Sequence, residues 1–152
     1  QVVFSKYLSS YTFYAILWLP VLLHIKIFTW VTGSPAPVSM PEMLGSFSIL
    51  LLIGSFFIAV GILASALTSS QIIAAIITFG LLVFLIFIGL IPSIAGDSFE
   101  GAPLFHYVSV HEHLSYFSRG LVDLRPIVFY LSMSVLTLLF THHLVDYRRW
   151  KH

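Results

Sequence analysis

Histidine and glutamate side chains are concentrated in one short stretch, His111-Glu112-His113, with His106 shortly before it. Imidazole and carboxylate groups are ordinary zinc ligands. On a helix, however, residues i and i+2 point about 200° apart, so His111 and His113 could share a metal only in an extended segment. The HExxH pattern of zinc peptidases is absent. We therefore treat His106, His111 and His113 as weak metal candidates. In a chain surrounded by lipid, which the composition indicates, we favour histidines that lie at the membrane surface and bond to water and lipid headgroups.

Three other histidines lie near the ends of apolar stretches and raise the possibility of haem ligation. His24 lies near one end of its stretch, whereas His142 and His143 lie near the opposite end of another. These positions are separated by most of a bilayer, so they cannot hold one haem together. His24 could still pair with a histidine of an outer loop. One function that these residues leave open is therefore that of a membrane anchor, or of a haem-binding or metal-binding subunit of a redox complex.

The remaining ionisable residues have structural explanations that we favour. Lys26 lies close enough to the end of its apolar stretch to extend its ammonium group to the surface. Arg119 and Asp123 are spaced i, i+4, which suits an ion pair on a helix better than a substrate contact. The sequence contains no Ser/His/Asp constellation and no phosphate-binding loop. We therefore predict that the chain is not an enzyme and binds no cofactor directly.

The composition determines the environment of these side chains. Of the 152 residues, 59% are hydrophobic and only 9% are charged, where a soluble domain has roughly 25%. So few charged groups cannot cover a soluble surface of this size. The net charge of +1 provides no basic surface for nucleic acid, and the absence of cysteine excludes disulfides and thiolate metal sites. The composition indicates a protein solvated largely by lipid.

A membrane-spanning helix needs about 20 mostly apolar residues. No Asp, Glu, Lys or Arg occurs between Glu42 and Asp97, and this stretch suits two spans joined by the polar turn 65–71. The pattern predicts an all-α membrane protein with one transmembrane domain over 1–152, because lipid leaves no partner for an open strand edge. Its four transmembrane helices are predicted at about 7–31, 44–65, 71–92 and 126–145.

Proline, glycine and capping residues predict where these spans begin, bend and end. Pro20 should kink the first helix, and Pro126 should lie in the first turn of the last. Thr68 or Ser69 should cap the start of the third helix, which Pro92 and Gly96 should end. Small residues on the second span favour close helix packing; they are Gly54, Ala59, Gly61, Ala64 and Ser65.

The segment 93–125 mixes charged and apolar residues. Leu114, Phe117, Leu121 and Leu124 recur at helical spacing within it. This pattern predicts short amphipathic helices at the membrane interface before the last span.

Lysine and arginine counts predict the orientation. Both chain ends should lie on one side, with Lys6, Arg148, Arg149 and Lys151; the other side has Arg119 and Arg125, with Lys26 near its boundary. This bias predicts a multi-pass protein of the cell's inner membrane with both ends of this segment, and the turn 65–71, in the cytoplasm. Trp30 and Trp150 fall at opposite faces, where interfacial aromatic residues are expected.

Three short motifs occur in order along the chain. The first, S-x-L-T-x-x-Q followed by two alanines, corresponds to Ser65, Leu67, Thr68, Gln71, Ala74 and Ala75. The second, F-x-x-G-x-x-D, includes Phe117, Gly120 and Asp123, with Arg119 inside it. The third is the end Asp146-Tyr-Arg148-Arg149-Trp150. In these motifs the chain resembles ABC-2 type transporter permeases, most of all the gliding-motility and copper-enzyme-maturation subfamily.

The resemblance implies a six-span permease, of which these four helices would be the third to sixth, and upstream sequence that is missing before Gln1. The segment 93–125 would correspond to the family's outer helices. It further implies a cytoplasmic ATPase subunit that binds ATP and Mg, a second permease copy or homologue, and an extracytoplasmic accessory protein as a possible partner. Transport, in the direction of export, would follow conformational changes driven by that ATPase.

Overall fold

The computed structural model describes residues 2–34, 39–95 and 107–149. Five helices make up this part of the chain: α1 (Val2–Thr32), α2 (Met40–Leu67), α3 (Gln71–Ala95), α4 (Val110–Ser118) and α5 (Leu124–Arg149). All of them except α4 are long and apolar enough to cross a membrane. The predicted fold class, an all-α membrane protein with four transmembrane helices, is confirmed.

Three of the four long helices begin earlier than predicted, and at two of these starts a side chain accepts a backbone N–H close to the first turn. At the start of α2, the Ser39 backbone N–H donates to Glu42 Oε2 over 2.9 Å, and Pro41 occupies the first turn. Proline fits there because the first-turn N–H groups have no partner within the helix. Asp123 caps α5 in a similar way, since its Oδ1 accepts the Arg125 backbone N–H over 3.0 Å.

The predicted start of the third helix is confirmed, but its predicted end and its predicted capping residue were wrong. Helix α3 does not end at Pro92 but continues to Ala95; proline is tolerated in apolar helices of membrane proteins. Gly96 lies outside the described residues. Helix α3 begins at Gln71, so Ser70 occupies the N-cap position rather than Thr68 or Ser69. The Thr68 hydroxyl instead accepts the Ser70 backbone N–H over 3.1 Å. Helix α1 includes Pro20 without interruption.

The two ends of the bundle bring different parts of the chain together. At one end, a cavity of about 430 Å³ is lined by the start of α1 (Val2, Lys6), the end of α2 (Ser65) and the end of α5 (Thr141, Val145). The start of α2, the last part of α3, all of α4 and the start of α5 lie at the opposite end. The described start and end of the chain are therefore on the same side of the bundle.

Helix α2 is the centre of the bundle and contacts the other four helices. The buried core consists of Ile49, Ile53, Phe117 and Tyr130. Gly45, Gly54, Ala59 and Ala64 are also buried along α2. Such small residues allow helices in membranes to approach closely, which is the main source of packing where lipid and core are equally apolar.

Polar side chains connect α2 to its neighbours within the spans. The Tyr14 hydroxyl of α1 donates to the Leu50 carbonyl over 2.9 Å, and the Tyr14 ring lies where a Cβ at Gly54 would be. On the other side, Ser55 Oγ and Ser134 Oγ are 3.3 Å apart. These contacts hold α1 and α5 against α2 with groups that lipid could not satisfy.

Candidate functional site

Helix α4 lies across one end of the bundle and buries two side chains one turn apart. Phe117 is fully buried and His113 is 8% exposed. Of the four apolar residues at helical spacing, only Phe117 is buried in the bundle; Leu114, Leu121 and Leu124 are exposed, and the last two lie beyond the end of α4. The face of α4 that contacts the core therefore combines an aromatic ring with an imidazole.

Close backbone contacts at glycines hold both ends of α4. A Cβ at Gly89 of α3 would come within 3.0 Å of Ser109 Cα, just before α4 begins. A Cβ at Gly45 of α2 would collide with the Phe117 carbonyl oxygen near the end of α4. A side chain at Gly45 would require the backbone to shift and one at Gly89 would be tight, so α4 packs against α2 and α3 by close main-chain contact.

A glycine in the left-handed region ends α4. Gly120 has φ +74, its N–H donates to the Phe117 carbonyl over 3.0 Å, and the Leu121 N–H donates to the Tyr116 carbonyl over 3.3 Å. This is the Schellman arrangement of a helix end. The predicted Arg119–Asp123 ion pair on a helix is therefore wrong: the helix ends at Ser118, and Asp123 caps the next helix.

His113 connects α4 to the membrane-spanning helix α5. Its Nδ1 is 3.2 Å from the Tyr130 hydroxyl oxygen in a buried hydrogen bond. The two rings meet edge to face, with centroids 5.6 Å apart. Burial lowers the pKa of His113 below the ordinary value of 6.5, although the Glu112 and Asp123 carboxylates act in the opposite direction. The imidazole is therefore held in its neutral form against the core.

Acidification should destabilise the fold through His113. The unfolded chain binds a proton near pH 6.5 and the folded chain only at lower pH, so stability is complete above that pH and falls as the pH drops through it. We expect the melting temperature of the purified protein to fall between pH 7.5 and pH 5, by less in His113→Gln. His111→Gln, on the exposed face of the same helix, should behave as the wild type. An equal fall in His113→Gln and wild type would contradict this role of His113.

A cavity of about 590 Å³ adjoins His113 at the same end of the bundle. Its lining carries two carboxylates, Glu112 and Asp123, and one guanidinium, that of Arg125. Tyr107, Tyr116 and Pro126 complete the lining. With His113 neutral, these side chains carry a net charge of −1. The cavity thus presents both signs of charge next to the start of a membrane-spanning helix.

The structure separates the metal candidates His111 and His113, and the haem candidates His24 and His142 have partners within their own helices. His111 is exposed and His113 is buried, as expected for i and i+2 on a helix, whereas His106 lies outside the described residues. In residues 2–34, 39–95 and 107–149, no three His, Cys, Asp or Glu residues are grouped so that they could hold a metal. His24 Nδ1 is 2.8 Å from the Pro20 carbonyl of its own helix. His142 Nδ1 is 3.1 Å from Asp146 Oδ2.

The other predicted site residues lie at the end of α2, in the α2–α3 turn, in the first turns of α3 and at the end of α5. Only Ala74 of the first motif is buried; Ser65, Leu67, Gln71 and Ala75 are exposed, and Thr68 is half-buried in the turn. Arg148 and Arg149 are the last residues of α5, whereas Trp150 lies outside the described residues. Lys26 is exposed on α1.

Tyr130, Gly45 and Arg125 also belong to this site, although the sequence pattern did not predict them there. A tyrosine inside an apolar span was the available signal for Tyr130, since a buried hydroxyl must find a partner. The position of Gly45 had no such signal, because only the docking of α4 shows what a side chain there would meet.

Compared with protein-family models, curated proteins and solved structures, the chain matches none of them.

Proposed function

We propose that this chain is the membrane-spanning part of a permease subunit of an ABC-2 type transporter, which exports its substrate by conformational changes that a separate ATPase drives. The observation that carries the proposal is the arrangement of α4, held against α2 and α5 by the residues of one family-like motif. The resemblance in sequence and this arrangement together support it.

Each residue of the F-x-x-G-x-x-D motif has a separate task in that arrangement. Phe117 fills the core between α2 and α5. Gly120 ends α4 in a left-handed conformation beside Pro41. Asp123 then caps α5. The motif therefore specifies a short helix that folds back immediately before the last span, which is the position that the resemblance assigns to an outer helix.

The arrangement suits a subunit that transmits movement. Helix α4 contacts the start of α2, the last part of α3 and the start of α5, and it therefore connects these three helices. Rigid helices connected in this way can move as a unit between two packed arrangements. The opposite end, which holds the described start and end of the chain, would face the ATPase and its bound ATP and Mg.

Co-purification tests the class of protein. We expect the natural full-length protein, extracted from its own membrane in mild detergent, to carry an ABC ATPase at one copy per permease chain, identified by mass spectrometry. A second copy of the chain or a homologue should be in the same complex. Isolation with a haem-bearing or metal-bearing partner, and without an ATPase, would refute the proposal and favour the redox-subunit alternative.

No cysteine occurs among these 152 residues, so a single thiol introduced into them can report on which side of the membrane a segment lies. Ser69→Cys places a thiol in the exposed α2–α3 turn, and Ser118→Cys places a matched thiol at the exposed end of α4. In intact cells, a membrane-impermeant maleimide should label Ser118→Cys and leave Ser69→Cys unlabelled until the cells are opened. The reverse pattern would place the ATPase-facing end on the wrong side of the membrane.

A further inference from the structure

The charged cavity beside α4 continues into a shallow, open apolar groove on the exposed surface of α5. Tyr107 and Arg125 line both the cavity and the first part of the groove. Val128 and Ser132 line both that first part and a second part, which reaches Leu136 and Leu139. A polar site and an apolar track thus share their lining residues without a break.

The groove is longer than the hydrocarbon part of one membrane leaflet, so it is long enough for one acyl chain. Arg125 and Leu139 lie on one continuous helix, and the rise between them is about 21 Å at about 1.5 Å per residue. Half of a hydrocarbon core of roughly 30 Å is roughly 15 Å. An acyl chain that starts beside Arg125 could therefore lie in the groove over its full length.

The charged side chains of the cavity, at the Arg125 end of the groove, determine which lipid headgroup fits there. The Arg125 guanidinium can bind a phosphate through paired hydrogen bonds. The Asp123 carboxylate, with Glu112 adding negative charge, favours a neighbouring cation. A ligand that combines phosphate, ammonium and acyl chains matches all three features. A purely anionic lipid would meet two carboxylates with one guanidinium.

We propose that the cavity and groove form a binding site for one phosphatidylethanolamine molecule. Its phosphate lies against Arg125, its ammonium group donates to Asp123, and an acyl chain follows α5 past Val128 to Leu139. The primary ammonium carries N–H donors, which the trimethylammonium of phosphatidylcholine lacks. The site is independent of the transporter proposal, because any membrane protein with this geometry would have it.

Native mass spectrometry of the delipidated full chain tests the site, with phosphatidylethanolamine, phosphatidylcholine and phosphatidylglycerol of identical acyl chains added in turn. We expect phosphatidylethanolamine to bind most tightly, and Asp123→Asn and Arg125→Gln each to weaken its binding by about tenfold, as for a charged hydrogen bond. Asparagine retains the Oδ1 atom that caps α5, so the fold should survive the first change.

Arg119→Gln is the matched control, because Arg119 is an exposed arginine of the same end that does not line the cavity. It should leave binding unchanged. Equal binding of the three lipids, tighter binding of phosphatidylglycerol, or equal weakening by Arg119→Gln would overturn the proposal. A dimer whose interface excludes lipid, and which Ser132→Trp dissociates, would also overturn the proposal. The groove would then be a contact between two copies of the chain.

Discussion

Gly45→Ala should destabilise the protein by about 2 kcal/mol or more, the range for forcing an extra methyl group into a well-packed site. The new Cβ would meet the Phe117 carbonyl oxygen. That oxygen is part of the backbone and already accepts the Gly120 N–H, so it cannot move without disrupting the end of α4. Thermal unfolding of the purified protein, followed by circular dichroism, measures the effect.

Gly80→Ala provides the matched control for this change. Gly80 is also a helical glycine, and a Cβ there would meet nothing within 4 Å. Alanine should be neutral there, or stabilising by up to about 1 kcal/mol, because it is the better helix former. Similar melting temperatures for the two variants would show that α4 is not in main-chain contact with α2.

Phe117→Ala should have the largest effect of any single substitution on α4, about 3–5 kcal/mol, the range for removing a buried phenyl ring. Phe117 is fully buried and packs with Ile49, Ile53 and Tyr130. The ring joins α4 to two membrane-spanning helices, so its loss should release α4 before the bundle itself unfolds. Hydrogen exchange of the α4 amides would detect this release.

Leu114→Ala separates the loss of buried packing from the general effect of introducing alanine into the same helix. Leu114 lies on the exposed face of α4, so its removal should cost about 1 kcal/mol or less. Unchanged amide protection in α4 of Phe117→Ala would contradict the anchoring role of the ring.

The four long helices could be predicted from the sequence because lipid imposes one simple requirement, an apolar stretch of sufficient length. Their ends were harder to predict, because short-range hydrogen bonds decide them. The Glu42 carboxylate extends α2 backwards to Met40. Helix α3 passes through Pro92, where hydropathy and proline gave conflicting signals.

The candidate site was only partly accessible from the sequence. The spacing of Arg119 and Asp123 suggested one helix, but the φ of +74 at Gly120 ends that helix between them. Leucine periodicity indicated an apolar face, whereas the face that docks includes His113, because Tyr130 supplies a partner for the imidazole. That partner lies on another helix, and the sequence pattern could not pair the two residues.

The spacing of Phe117, Gly120 and Asp123 has a consequence for how this chain can vary. Phe117 anchors α4, Gly120 ends it and Asp123 starts α5. The number of residues between these three positions therefore fixes how α4 connects to α5. Inserting a single residue between them would rotate the Phe117 ring away from the core or remove the cap from α5. Homologous chains should therefore tolerate changes of residue type across this turn more readily than changes of its length.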